Sequence, residues 1–285
     1  MKNWNICSAD SAVVQSLAYA MELPKPIAHV LVSRGLGMAE DASDFLHPRL
    51  AVLSDPFRLP DMDKAVERIW RAIDNDESIT VFGDYDVDGV TAAALLIRIL
   101  DALGAQVTGF IPDRLDEGYG LSSEALQRCL ADRHPSLIVS VDCGTNSFES
   151  IAHAQKHGVD VIVSDHHEPG DRPAPAFALI NPKLGAHGAN LSGVGVAFKL
   201  SHALIKTGRE QGITSALEID LRDYLDIVAL GTVADIVPLE GENRIITRYG
   251  LEQLGCTKWK GMEALKEVAG ITGEIDTYHL GFQLG

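Results

Sequence analysis

Three short apolar stretches of this 285-residue chain run straight into acidic or imidazole side chains. Ile79 to Phe82 leads into Gly83-Asp84-Tyr85-Asp86-Val87-Asp88-Gly89. Leu137 to Val141 leads into Asp142, and Val159 to Val163 leads into Ser164-Asp165-His166-His167. Carboxylates with one or two imidazoles suit hard or borderline cations such as Mg²⁺ and Mn²⁺, whereas thiolates would indicate zinc. Two such ions about 3.5–4 Å apart acidify a shared water and stabilise in-line displacement at phosphorus. Holding two cations that close takes a bridging carboxylate. Asp142, on the middle of the three loops, is the choice for that bridge.

Each residue also has a plainer reading. Asp88 can cap a helix starting near Thr91 or ligate a metal, and both stay open. The run Asp84-x-Asp86-x-Asp88-Gly89 opens like a calcium-binding EF-hand loop, but the twelfth position is Leu95 rather than glutamate and a strand precedes it. Asp165 reads as the group that orients a neighbouring imidazole or its loop. Cys143 lacks a histidine–acid partnership and is not read as a nucleophile. Arg114, whose fork matches two phosphate oxygens, is a candidate phosphate clamp. Ser192 and Gly193 open a helix whose N–H groups can bind an anion, and Asn181-Pro182-Lys183 is either a turn or a phosphate contact.

The elements that must position these groups alternate regularly. Ala65, Ile69, Ala72 and Ile73 recur at helical spacing ahead of the strand at 79–82. A helix over 91–103 stopped by Gly104, a strand over 107–111 and a helix over 122–131 follow. Beyond them come the strand 137–141, a helix over 148–157, the strand 159–163 and a last strand near 177–180. This alternation predicts an α/β fold with a mostly parallel sheet flanked by helices. In such sheets ligands bind beyond the carboxyl ends of the strands, where the acidic loops lie. After Gly193 the pattern turns helical, over 196–206 and 221–230. Prolines 24, 26, 48, 56 and 60 punctuate a helical, loop-rich beginning. The organisation expected is an N-terminal helical segment over 1–60, a catalytic domain over 61–245 and a helical connector over 246–285. The ending Leu280-Gly281-Phe282-Gln283-Leu284-Gly285 reads as a cut.

Composition narrows the classes. The net charge is −16, from 24 basic and 40 acidic residues, the opposite of what a broad DNA groove carries. A metal centre absorbs only part of that excess. No apolar run reaches the roughly 18 residues of a membrane span, and the first ten residues lack the apolar core of a signal peptide. Four scattered cysteines, with no C-x-x-C pair, predict a reducing cytoplasm rather than a disulfide framework.

These residues carry a family resemblance. Val81-Phe82-Gly83-Asp84-Tyr85-Asp86-Val87-Asp88-Gly89-Val90-Thr91 resembles the first motif of the DHH phosphoesterases, and Val141-Asp142-Cys143-Gly144 the second. Asp165-His166-His167 is similar to the triplet that names the family, and Gly231-Thr232-Val233-Ala234-Asp235-Ile236-Val237-Pro238-Leu239 to the fourth motif. The motifs stand in family order, and the stretch around 32–46 resembles the segment ahead of that core. The resemblance implies two divalent ions, Mn²⁺ or Mg²⁺. Asp84 and Asp142 would hold one; Asp86, Asp142, His166 and Asp235 would hold the other, with His167 at the scissile phosphate. Tyr85 and the third aspartate, Asp88, favour the family's single-strand-specific DNA exonuclease branch. That branch implies 5′-to-3′ release of mononucleotides in DNA repair and recombination, acting on the 5′ end of single-stranded DNA. A single-strand-binding protein or a helicase would be candidate partners. Relatives of that branch continue into a second associated domain (DHHA1) and an oligonucleotide-binding (OB) domain, expected to lie beyond this chain. A phosphoesterase of short oligonucleotides or cyclic dinucleotides, and a non-catalytic replication scaffold, are the alternatives.

Overall fold

The computed structural model describes residues 7–113, 120–185 and 190–285. The chain divides into two units, Met1–Leu53 and Ser54–Gly285. In the first, helices α1 (Ser11–Ala20), α2 (Lys25–Ser33) and α3 (Ala39–Leu46) gather Val14, Leu17, Ala28, Leu31 and Ala42 into a small core. Asp10 caps α1 by accepting the Ala12 N–H at 2.8 Å, and Pro26 stands in the first turn of α2, where no N–H is missed.

The second unit runs α4 (Met62–Asp74), β1 (Ser78–Gly83), α5 (Val87–Ala102), β2 (Gln106–Phe110), α6 (Ser123–Arg133), β3 (Leu137–Val141), α7 (Phe148–Lys156), β4 (Asp160–Ser164) and β5 (Ala178–Ile180). Helices α8 (Gly193–Glu210), α9 (Thr214–Glu218), α10 (Leu225–Ala234), α11 (Gly241–Gly255) and α12 (Lys260–Val268) follow. The five strands form one sheet in the order β2-β1-β3-β4-β5, parallel throughout. Its central strands β1, β3 and β4 are buried, β-branched runs because helices cover both faces, while the edge strand β2 is partly exposed. Phe82, Ile138, Val161 and Val163 pack with Leu126, Cys129 and Ile151 of α6 and α7. The alternate residues Val81, Val139 and Ile162 are equally buried. The order reverses between β1 and β3, and such a topological switch opens a crevice at the carboxyl ends of the two strands.

Several expected boundaries move, among them that of α8, which spans Gly193–Glu210 rather than 196–206. Helix α5 begins at Val87, not Thr91, because Asp86 caps it and the helix-poor Gly89 falls inside its first turn. The span 221–230 splits into a 3₁₀ turn, Leu221–Tyr224, and α10, which runs on to Ala234. Among the described residues no helix is long and apolar enough to cross a membrane.

Candidate metal centre

The sheet register decides where the acidic loops begin. Gly83 pairs with Val141, Val141 with Ser164, and Ser164 with Ile180, so the next residues, Asp84, Asp142, Asp165 and Asn181, leave the sheet at one level. Because β3 lies between β1 and β4, Asp142 stands between the other two aspartates.

Asp84 is fully buried, and its Oδ1 accepts the Tyr85 N–H at 2.7 Å. Asp86 is exposed and caps α5 by accepting the Gly89 N–H at 2.9 Å. A side chain at Gly89 would come within 2.7 Å of the Asp84 backbone, so a glycine lets the helix start close against the strand end. Oxygens of Asp84, Asp86 and Asp142 lie within 4.8 Å of one another. Asp142 itself is buried in the left-handed backbone region, φ 59°, which aspartate tolerates better than most residues. Burial, then the neighbouring charges of Asp86 and Asp165, push its pKa up to about 9.

The second half of the centre is organised by Asp165. Its Oδ1 accepts from the N–H groups of His166 (2.7 Å) and His167 (3.2 Å) and lies 2.7 Å from His167 Nδ1, while Oδ2 accepts the Thr145 N–H at 2.9 Å. Burial alone would raise this carboxyl's pKa, but the His167 and Thr145 hydrogen bonds outweigh it and hold Asp165 below the usual carboxylate range. The bond to Asp165 also raises the His167 pKa. In the neutral ring it fixes the proton on Nδ1 and the lone pair on Nε2. Beside it, His166 presents Nε2 at 3.1 Å from Asp142 Oδ1 and 3.8 Å from Asp88 Oδ2, and Nδ1 at 3.7 Å from Asp235 Oδ2. Two further triads result, Asp142-His166-His167 and Asp88-His166-Asp235.

Asp88 does not cap the helix that contains it. Its two oxygens accept the N–H groups of Gly193 (2.6 Å) and Val194 (2.8 Å), so it caps α8 from 105 residues away. The N–H groups of Gly193 and Val194, at the helix start read as a possible phosphate contact with Ser192, here meet Asp88 instead. The first N–H groups of α8 are spent on Asp88, the Gly195 N–H on Ser192 Oγ (3.2 Å), and Ser192 Oγ also meets Thr232 Oγ1 at 3.0 Å. Gly193 serves by its lack of a side chain, since a Cβ there would sit 2.4 Å from Asp142 Oδ1. Asn181 is a strut: its amide donates to Thr145 Oγ1 (3.0 Å) and the His167 carbonyl (2.9 Å). Lys183 pairs with Glu168 at 2.9 Å. Arg114 lies outside the described residues. Asp235, which only the family resemblance had selected, is the C-cap of α10. An acid at a helix C-terminus opposes the helix dipole, and that misfit is the local signal that points to it.

The donor set fits divalent cations. Asp142 Oδ1 and Asp235 Oδ2 are buried oxygens that accept no hydrogen bond. Burial, and then the facing carboxylates, raise the pKa of Asp88; burial does the same for Asp235. This is negative charge that a cation would relieve. The donors are carboxylate oxygen and imidazole nitrogen, with no thiolate among them: burial keeps the nearby Cys143 thiol protonated. Such donors match Mg²⁺ or Mn²⁺.

The model of the DHH family, N-terminal domain, matches residues 78–232. The chain is 41% identical over 285 residues to the single-stranded-DNA-specific exonuclease RecJ of Bacillus subtilis, covering 99% of this chain and 35% of that protein. It is 39% identical over 274 residues to the RecJ of Escherichia coli, covering 93% and 46%. The crystal structure of Thermus thermophilus RecJ in complex with Mn²⁺ superposes with a TM-score of 0.79 at 32% identity, over 98% of this chain and 38% of that one. The chain thus spans between about a third and a half of the length of these relatives.

Proposed function

From the premise that this chain belongs to the DHH family, we propose that it is the catalytic core of a metal-dependent exonuclease specific for single-stranded DNA. The observation that carries this reading is the register-matched row of Asp84, Asp142 and Asp165, with His166 meeting Asp142 through one ring nitrogen and Asp235 through the other. Sequence likeness to exonucleases across nearly the whole chain supports the substrate.

Asp84, Asp86 and Asp142 would hold one divalent ion, Mn²⁺ or Mg²⁺, and the family resemblance gives His166 and Asp235, 3.7 Å apart, to a second that Asp142 would share. When bound, the ions would supply Lewis acidity at the scissile phosphate and acidify the attacking water. The chain's residues do the rest. Asp142 is shared between the two groups and sets their separation. Asp165 locks the His167 ring, leaving the Nε2 lone pair to meet a proton or an ion at the phosphate. Asp88 fixes the start of α8 against the same carboxylates. Residues 61–245 make up the catalytic domain in this reading, between a helical segment over 1–60 and a connector over 246–285. The likeness extends the proposal to 5′-to-3′ release of mononucleotides in cytoplasmic DNA repair and recombination, with a single-strand-binding protein or a helicase as partner.

The test is hydrolysis of a 5′-labelled single strand by the purified chain with Mn²⁺, with Mg²⁺ and with chelator, beside Asp142→Ala. Metal-dependent release of labelled mononucleotide, abolished in the variant, is the expected result. Activity of Asp142→Ala within about tenfold of wild type would sink the assignment of the shared carboxylate. Cleavage of dinucleotides but not of long strands would move the chain to the small-substrate phosphoesterases.

A further inference from the structure

Ile236 follows Asp235 directly, and its backbone is left-handed, φ 61°. The described non-glycine residues with positive φ are Glu22, Asp61, Asp76, His134, Asp142 and Ile236, and only the last is apolar and β-branched. The position just past a helix C-cap favours glycine or asparagine, and a β-branched residue there is strained. Packing does not explain the choice, because the side chain is 87% exposed. Closing the helix does not require it either: the hydrogen bonds of that turn, Asp235 N–H to Gly231 O at 2.9 Å and Ile236 N–H to Val233 O at 3.2 Å, are backbone bonds. The chain therefore holds an apolar side chain out to solvent, in a strained conformation, one residue from a carboxylate that faces His166. Strain kept beside a functional group points to a use for it.

An isoleucine cannot bind phosphate, but its methyl groups suit the face of a base. Apolar side chains, isoleucine among them, serve as wedges against bases in nucleic-acid complexes. We propose that Ile236 is a positioning residue: it packs against the base of the nucleotide whose phosphate sits at the metal centre, a contact blind to sequence. The inference rests on the reading of this chain as a nuclease of single strands.

The experiment measures equilibrium binding of a fluorescent, phosphorothioate-protected oligothymidylate, and of its abasic counterpart, to the full chain with Mn²⁺. Wild type, Ile236→Asn and Ile236→Leu are compared, with a melting curve for each. Asparagine tolerates the left-handed backbone, so Ile236→Asn melts no lower than wild type. It binds the base-bearing strand about five- to tenfold more weakly, and Ile236→Leu stays within about twofold. All three bind the abasic strand alike. Equal affinity of Ile236→Asn and wild type for the base-bearing strand overturns the contact, as does an equal loss on the abasic strand, or no binding of either strand by wild type. Hydrolysis of an unmodified strand by wild type is followed in parallel. A selective loss of binding without hydrolysis keeps the contact and removes the nuclease reading; hydrolysis with unchanged affinity does the reverse.

Discussion

Alanine at position 193 tests the centre without replacing any candidate ligand. Gly193 is the first residue of α8, and its N–H binds Asp88. An added methyl group would lie 2.4 Å from Asp142 Oδ1, 2.5 Å from its Cβ and 2.6 Å from its Cγ, where ordinary contact begins near 3.4 Å. Either the helix start or the Asp142 carboxylate must retreat by about 1 Å. Overpacking of this kind costs about 1–3 kcal/mol, partly offset because alanine is up to about 1 kcal/mol better than glycine in a helix. The melting temperature should therefore move by only a few degrees. Catalysis should respond far more, since a misplacement of about 1 Å at a reacting centre costs about 100-fold. The assay pairs metal-dependent hydrolysis of a single strand with Mn²⁺ affinity by titration calorimetry, using Gly195→Ala as the control. The nearest atoms to a Cβ at Gly195 are side-chain atoms of Leu191 and Ser192, at 3.3–3.5 Å, so that variant should keep its activity. If Gly193→Ala hydrolyses DNA within about threefold of wild type and binds Mn²⁺ equally well, the Asp142 carboxylate does not occupy the position described.

Two further outcomes follow from Asp165 and Asp142. Asp165→Asn leaves one oxygen to serve donors that now use two, so it should lose about 2–4 kcal/mol of stability by denaturant unfolding, together with hydrolysis; an unchanged unfolding midpoint would count against the network. Burial raises the pKa of Asp142 from 3.8 to about 9 and also raises that of Asp88, so their share of stability in the metal-free chain is present at low pH and lost as pH climbs through that range. Mn²⁺ needs the deprotonated carboxylates, so the gain in melting temperature on adding it should grow from about pH 5 to about pH 9. Asp165, held low, keeps its share throughout that window and loses it only in stronger acid. A metal-induced gain that is flat across that window would contradict the assignment.

Runs such as Leu-Ile-Val-Ser-Val announced buried parallel strands because a strand covered on both faces needs no polar alternation. The three acidic strand ends were legible for the same reason, since each begins where such a run stops. The start of α5 was not, because Gly89 argues locally against a helix and only the approach to Asp84 explains it. The link between Asp88 and Gly193 was not legible either. Nothing in the neighbourhood of either residue reveals a bond across 105 positions, and a helix N-terminus looks ready for an anion whether or not the protein supplies its own. Asp235 needed the resemblance, because a lone aspartate at a helix end is usually a cap or a surface residue, and its opposition to the α10 dipole is too slight a signal to single it out unaided.

The level row of strand ends also governs how the molecule can change over generations. The height of each carboxylate is set by the number of residues in the strand beneath it. One residue inserted within β3 would lift Asp142 by about 3.3 Å and turn it to the opposite face. Loops that start past these residues carry no such count and can lengthen or shorten without moving the aspartates. Descendants of this fold can thus rebuild the rim that meets the substrate while inheriting the floor unaltered. Length variation should stop abruptly at Asp84, Asp142 and Asp165.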